Sequence, residues 1–304
     1  MSRIRTFIIP VALIGAVGFV AVWRNLYEAA WSPRQIILIT VDGLRADRLG
    51  AYGYTARPLS PNIDALAAQS VVFERAFDAP PATAASRSAG APAEIGVGGD
   101  GDALSSGIAT LAELFHQRGI ATAAFAVPAE AIAEPDGTAG PDQIEPAAAA
   151  AQRARPLLEW LHAHAGESFF VWTHAIEPSA ASAPADDADM AGWSAADITA
   201  HRADALVGAI MHTLATLKMG NELMVVLTAG PFAAGGDTAA QAGGEVASDD
   251  RRVPLLFATP VFAPAHVDAP VQLTDVFPTI AGLAALPAPP DSHGTSLVPL
   301  LRAQ

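Results

Sequence analysis

The chain opens on a long apolar segment and continues with shorter apolar runs separated by amphipathic stretches. Residues 6–23 contain no charged side chain and, as a helix, would be about 27 Å long, nearly the thickness of a bilayer core. Two arginines precede this segment, which favours a cytoplasmic N-terminus. A cleaved signal peptide is the alternative, but its one small-x-small site, at 16–18, lies inside the apolar run. We therefore predict a membrane anchor and juxtamembrane segment at 1–31, followed by a periplasmic or extracellular domain at 32–304.

Beyond residue 32 the pattern is one of alternating strands and helices. The run 35–41 is continuous and aliphatic, which is typical of a strand buried on both faces. Ser60-Pro61 is a helix start, since a capping residue precedes a proline at the first helical position. Further strands are predicted at 120–127, 169–172, 223–227 and 253–258, and further helices at 110–117, near 157–161, at 194–218 and from 274. Strands separated by helices predict an α/β fold with a mostly parallel central sheet flanked by helices.

The charge balance and the missing cysteines exclude several functions. The chain has 31 acidic and 17 basic residues, a net charge of −14, and no cysteine. Nucleic acid is excluded as a partner, because so acidic a chain cannot neutralise a run of phosphates. Disulfides, thiolate metal sites and a cysteine nucleophile are excluded as well.

Several segments together resemble one known family. These are ILITVDGLRADRLGAYGY at 37–54, SPNIDALAAQSVVFERAF at 60–77, TAASR at 83–87, FFVWTHAIEPSAASAP at 169–184 and RRVPLLFATP at 251–260. Their order and spacing resemble the sulfatases of the alkaline phosphatase superfamily, and the likeness extends from about residue 35 to residue 301. The resemblance implies an α/β sandwich. It also implies that most of the smaller C-terminal subdomain common in the family is missing.

The same resemblance suggests residues for chemistry. Asp42 matches the first metal-binding aspartate of the family, Thr83 stands at the nucleophile position and Arg87 would bind the motif loop or an anionic ester. His174 matches the first histidine of a His-x-x-x-Pro-His segment. A threonine cannot be oxidised to formylglycine, although a metal-activated hydroxyl can attack phosphorus. Each residue also has a structural alternative: Asp42 can close a turn, Thr83 can cap one, Arg87 can be a surface arginine and His174 can simply pack.

The chain departs from the family pattern at positions that the metal site needs. Ser179 replaces the second histidine of that segment, and Gly230-Pro231 stands where the family usually has Asp-His. The lysine and histidine expected before residue 253 are absent. Because a hard divalent ion takes about six ligands, the remaining donors are too few unless acidic residues of a rearranged loop replace them. These candidates are Asp237, Asp249 and Asp250.

Two functions remain open. The first is a membrane-anchored pseudoenzyme without a cofactor, which serves as a binding or interaction module and has the membrane and membrane proteins as partners. The second is a hydrolase or transferase of phosphate or sulfate esters that uses Thr83 and a divalent cation such as calcium, zinc or manganese. Few cations other than Arg87 are expected beside the cleft, and this expectation favours the first function.

Overall fold

The computed structural model describes residues 31–77, 111–128, 154–176, 192–229, 252–287 and 294–304. All of the elements lie within the compact unit Pro33–Gln304. The strands are β1 (Gln35–Val41), β2 (Ser70–Phe77), β3 (Ala121–Pro128), β4 (Phe169–Ile176), β5 (Leu223–Ala229), β6 (Arg252–Val253), β7 (Leu255–Ala258) and β8 (Ala265–Gln272). The α-helices are α1 (Pro61–Ala67), α2 (Leu111–Gln117), α3 (Arg155–Ala163), α4 (Ala195–Thr216), α5 (Val276–Leu283) and α6 (Val298–Arg302).

The described strands form one mixed sheet whose core is parallel. β1 pairs in parallel with β4 on one side and with β5 on the other, and β3 extends the sheet beyond β4. Along the sheet the order is β3-β4-β1-β5-β7-β2, and β2 also pairs with β6 and β8. Residues of β1 after Gln35 and all residues of β5 are buried, as expected for strands covered on both faces. The predicted α/β architecture is therefore confirmed for the described residues, in which the sheet is mixed with a parallel core.

Where the sequence predicts one strand at 253–258, the structure has two short strands that run antiparallel to the other described strands. β6 and β7 are antiparallel to β2, and Pro254 separates them. Proline has no N–H to donate to a strand ladder. Beside this break, the Tyr52 hydroxyl forms hydrogen bonds with the neighbouring strands. The Leu255 N–H donates to Tyr52 Oη over 2.9 Å, and this hydroxyl lies 3.2 Å from the Phe73 carbonyl oxygen. Burial raises the pKa of Tyr52, so the hydroxyl keeps its hydrogen and can donate it.

β2 and β8 have no counterpart in the prediction. β8 runs parallel to β2 and has no other strand partner among the described residues. Its buried positions are Val267 and Val271, whereas Asp268 and Pro270 are exposed. A side-chain pair between His266 on β8 and Glu74 on β2 also joins the two strands. β8 is thus an edge strand with one apolar, buried face, and its exposed face carries Pro270 and the charged Asp268.

The longest described helix, α4, holds the loop that follows β1. Its first turn carries a capping box in which Asp197 and Ser194 exchange bonds between side chains and backbone N–H groups. The same carboxylate accepts hydrogen bonds from Arg57 (3.0 Å), Arg48 (3.4 Å) and the Tyr54 hydroxyl (3.3 Å). Only 6% of the Asp197 side chain is exposed. One carboxylate therefore fastens the β1–α1 loop to the start of α4.

A second carboxylate of α4 fixes the start of α1. Asp204 accepts from the backbone N–H groups of Asn62 (2.7 Å) and Ile63 (2.8 Å) and from the Asn62 side chain. These N–H groups belong to the first turn of α1, where no partner within the helix is available. Burial outweighs these hydrogen bonds and raises the pKa of Asp204. The predicted start of this helix at Ser60-Pro61 is confirmed, but the capping carboxylate comes from α4.

No helix among the described residues is long and apolar enough to cross a membrane. The predicted anchor at 6–23 lies outside these residues. The anchor, the domain boundary at 31/32 and the orientation of the chain therefore stay predictions.

The bonds at Asp197 predict how stability depends on pH. Burial by itself raises the pKa of Asp197, but the hydrogen bonds from Ser194 and the charge of Arg48 outweigh it and hold the pKa below its usual value. A lowered pKa contributes stability above the unfolded-state pKa, and this stability is lost as pH falls through the folded-state pKa. We expect Asp197→Asn to lower the free energy of unfolding by about 1–3 kcal/mol near pH 7. The difference from the unmutated protein should shrink as the pH falls below about 4, which urea unfolding across a pH series measures.

Asp268→Asn is the matched control, because Asp268 is exposed on β8. Exposed substitutions of this kind usually change stability by no more than about 0.5 kcal/mol. A loss at Asp197 that stays constant down to pH 3, or a loss equal to that of the control, would contradict the prediction.

Candidate functional site

The parallel strands bring Asp42 and His174 together at one edge of the sheet. Asp42 directly follows β1, and its N–H donates to the Ala175 carbonyl oxygen of β4 over 3.0 Å. His174 lies near the end of β4, where it is in register with Thr40 of β1. Gly43 then takes a left-handed conformation with φ +68°, which turns the chain away from the sheet. Ligands bind at the carboxyl ends of strands in such sheets, so this pair marks the candidate site.

The two side chains contact each other directly. His174 Nε2 lies 3.4 Å from Asp42 Oδ2, and the side chains are 15% and 23% exposed respectively. Asp42 Oδ1 is buried and has no hydrogen-bond partner. An unpaired buried carboxylate oxygen is costly, and a buried polar atom of this kind is common where a ligand, water or ion binds.

Behind the pair lies a short chain of hydrogen bonds. The Trp172 indole N–H donates to Thr40 Oγ1 over 2.9 Å, and Thr40 Oγ1 lies 2.9 Å from His174 Nδ1. The rings of Trp172 and His174 are stacked, with centroids 5.3 Å apart. Thr40 is almost fully buried. His174 is therefore held on one side by Thr40 and faces Asp42 on the other.

The other residues predicted for the site lie outside the described part of the chain. β2 runs parallel to β5 and so to β1, because both β2 and β5 pair antiparallel with β7. Phe77, the last described residue before Thr83 and Arg87 in the sequence, therefore lies at the same edge as Asp42. Gly230-Pro231 directly follows β5, the other neighbour of β1. Of the four predicted site residues, the structure shows Asp42 and His174 and brings them together.

The expectation of few cations beside the cleft stays a prediction. Three arginines, Arg45, Arg48 and Arg57, lie on the loop that follows Asp42. Arg45 pairs with Asp47 through two bonds of 2.9 Å, and this contact holds the pKa of Asp47 below its usual range. The other two share the carboxylate at the start of α4, as described above. All three arginines therefore bind a carboxylate, either that of Asp47 or that of Asp197.

The described residues supply only part of a metal site. They contain no group of three or more His, Asp or Glu side chains that could hold a metal ion. Asp42 and His174 offer one carboxylate and one imidazole, whereas a hard divalent cation takes about six ligands. Gly230-Pro231, which directly follows β5 in the sequence, has no side-chain donor. The described donor set therefore does not fit a tightly bound metal.

The fold agrees with comparisons to known proteins. A sequence profile described as Sulfatase matches residues 34–286. The chain belongs to the sulfatase family. This confirms the resemblance inferred from the motifs. The comparison with curated proteins finds no match.

Solved structures of the superfamily share the fold of this sulfatase-family chain. A putative sulfatase from Bacteroides thetaiotaomicron has a TM-score of 0.61 and 19% identity, covering 90% of this chain and 75% of its own. The phosphonate monoester hydrolase of Agrobacterium radiobacter has a TM-score of 0.59 and 16% identity, with 89% and 77% covered. A protein of the alkaline phosphatase superfamily from Vibrio parahaemolyticus has a TM-score of 0.60 and 15% identity, with 88% and 70% covered. At such identities the likeness extends to the fold alone.

Sequence reasoning missed Thr40 and Trp172. Both lie in runs that were read only as buried strands, and their roles depend on the register that places Thr40 beside His174. The available signal was the alternation along β4, since residues two apart in a strand share a face. It places Trp172 and His174 on one face, but it does not identify the neighbouring strand.

Two buried threonines at the same edge allow a matched test. Thr40 Oγ1 bonds Trp172 and His174, whereas Thr173 Oγ1 is buried without a partner. Thr40→Val should lower the free energy of unfolding by about 1–3 kcal/mol, because it leaves the indole N–H unpaired. Thr173→Val removes a hydroxyl that makes no bond and should be neutral or stabilising. Urea unfolding measures both, and equal losses in the two variants would contradict this assignment.

Proposed function

We propose that this sulfatase-family chain is a membrane-anchored pseudoenzyme that acts as a binding or interaction module. The observation that carries the proposal is the edge formed by β1, β4 and β5. The parallel strands bring Asp42 and His174 together at this edge. In the sequence, the residues that directly follow the third strand are Gly230-Pro231, where the family usually has the Asp-His that completes its metal site. Ser179 adds a second loss from the segment after β4. A scaffold that keeps its core while losing donors at this edge is suited to binding rather than to metal-assisted hydrolysis.

A second candidate function rests on a different observation. Members of the superfamily generally use a divalent metal, and the buried, unpartnered Oδ1 of Asp42 is an atom that a cation would satisfy. With further ligands from Asp237, Asp249 or Asp250, the chain would be a phosphate or sulfate ester hydrolase or transferase. Thr83 would be its nucleophile and Arg87 would bind the ester. The metal would be calcium, zinc or manganese.

Metal content and turnover distinguish the two functions. The full chain, purified in detergent, should contain less than one divalent ion per molecule by mass spectrometry. It should also hydrolyse neither aryl sulfates nor aryl phosphate mono- and diesters above the buffer rate. Thr83→Ala tests the alternative, with Thr55→Ala as a control at an exposed position. Stoichiometric metal, with turnover that is lost in Thr83→Ala and kept in Thr55→Ala, would show that the chain is an enzyme.

The membrane anchor is a separate part of the proposal. The uncharged segment 6–23 and the arginines before it support an uncleaved helix with a cytoplasmic N-terminus. The folded domain would then be periplasmic or extracellular, where the anchor brings it near membrane proteins. The intact mass of the protein isolated from membranes should include residues 1–31, and alkaline carbonate should not extract it. A mature chain that begins beyond residue 18 and is soluble would instead indicate a cleaved signal peptide.

A further inference from the structure

We propose that Thr40 and Trp172 are positioning residues that hold His174 with its ring hydrogen on Nε2, directed at Asp42. The inference deepens the proposed function, and it rests on the Asp42–His174 pair being the binding site. It assigns a hydrogen-bonding role to each member of a four-residue chain that runs from Trp172 through Thr40 and His174 to Asp42.

The donors and acceptors of the chain determine the direction of its bonds. An indole N–H can only donate, so Trp172 occupies one lone pair of Thr40 Oγ1. The Thr40 hydroxyl hydrogen then has two acceptors within reach, His174 Nδ1 at 2.9 Å and the Thr173 carbonyl oxygen at 3.4 Å. The shorter contact is within the usual range for a hydrogen bond, whereas the longer one is weak. The hydroxyl therefore donates to Nδ1.

A histidine that accepts at Nδ1 carries its hydrogen on Nε2 when the ring is neutral. That hydrogen faces Asp42 Oδ2, which is 3.4 Å from Nε2 and can only accept when ionised. In the opposite tautomer, the Nε2 lone pair would face the carboxylate, and Thr40 would have to use the longer contact to Thr173. The first arrangement places an N–H beside the carboxylate, whereas the second places a lone pair there.

The arrangement has a consequence for the chemistry of the site. A ring nitrogen that carries hydrogen has no lone pair to offer to a cation. The chain Trp172–Thr40–His174 therefore keeps Nε2 as a hydrogen-bond donor beside the Asp42 carboxylate. This supplies a physical reason, separate from the missing donors after β5, why His174 does not act as a metal ligand.

Nitrogen-15 NMR of the full chain labelled at histidine and tryptophan tests the proposal at alkaline pH, where a histidine is ordinarily neutral. The His174 signals are assigned as those lost in His174→Gln. In the unmutated protein we expect hydrogen on Nε2 and the shift of a hydrogen-bonded acceptor at Nδ1. Hydrogen on Nδ1 would overturn the proposal.

Variants of Thr40 and Thr173 distinguish a role of Thr40 in orienting His174 from a role in packing alone. Thr40→Val should abolish the hydrogen-bond shift at Nδ1 and expose the Trp172 N–H to faster solvent exchange, whereas Thr40→Ser should restore both. Thr173→Val should leave both unchanged, because its hydroxyl has no partner. Unchanged signals in Thr40→Val, or equal changes in Thr173→Val, would overturn the role of Thr40.

Added Zn²⁺ gives a further readout that is independent of turnover. It should leave the His174 signals of the unmutated protein in place, while a Zn²⁺-dependent shift at Nε2 would overturn the assignment. The tautomer is read without metal and without substrate. Failure of this inference is therefore distinguishable from failure of the proposed function, which metal content and turnover decide.

Discussion

Parallel pairing of β1 with β4 and β5 is the constraint on which the rest of the site depends. Three neighbouring strands that run the same way must end at the same edge, and each then releases its next residues there. Asp42 and His174 are far apart in the chain but adjacent in space for this reason alone. The backbone bond from Asp42 to Ala175 extends the ladder by one residue beyond β1, so the carboxylate begins from a fixed point.

Polar bonds then position what the strands bring together. The loop after β1 would be free to move if only its ends were fixed, but the α4 carboxylates bind it and the helix that follows it. Asp197 accepts from three side chains of the loop, and Asp204 accepts from the start of α1. Both are buried, and buried carboxylates are stable only when hydrogen bonds replace the lost water. Some of the acidic residues of the chain therefore form internal hydrogen bonds that stabilise the fold, rather than adding charge to its surface.

The sequence predicts the core of this molecule well and its edges less well. The aliphatic runs of β1 and β5 have no plausible place except the centre of a sheet, and the capping residues Ser60 and Ser194 mark helix starts correctly. β8 escaped prediction because Asp268 and Pro270 break its apolar pattern, and an edge strand can tolerate both. The antiparallel direction of β6 and β7 was also missed, because hydrophobicity does not encode direction. In the site, motif spacing identified Asp42 and His174, whereas the role of Thr40 follows from strand register, which a single sequence does not show.

The composition of β8 has a further consequence for contacts between copies of the folded domain. An edge strand exposes backbone donors and acceptors to which a strand of another molecule can add. On β8 the exposed Pro270 lacks a donor, Asp268 adds charge, and the register shifts near Arg75 of β2. Each of these features opposes the regular ladder that strand addition requires. The same residues that kept β8 from being predicted as a strand therefore also protect the folded domain from aggregation through this edge.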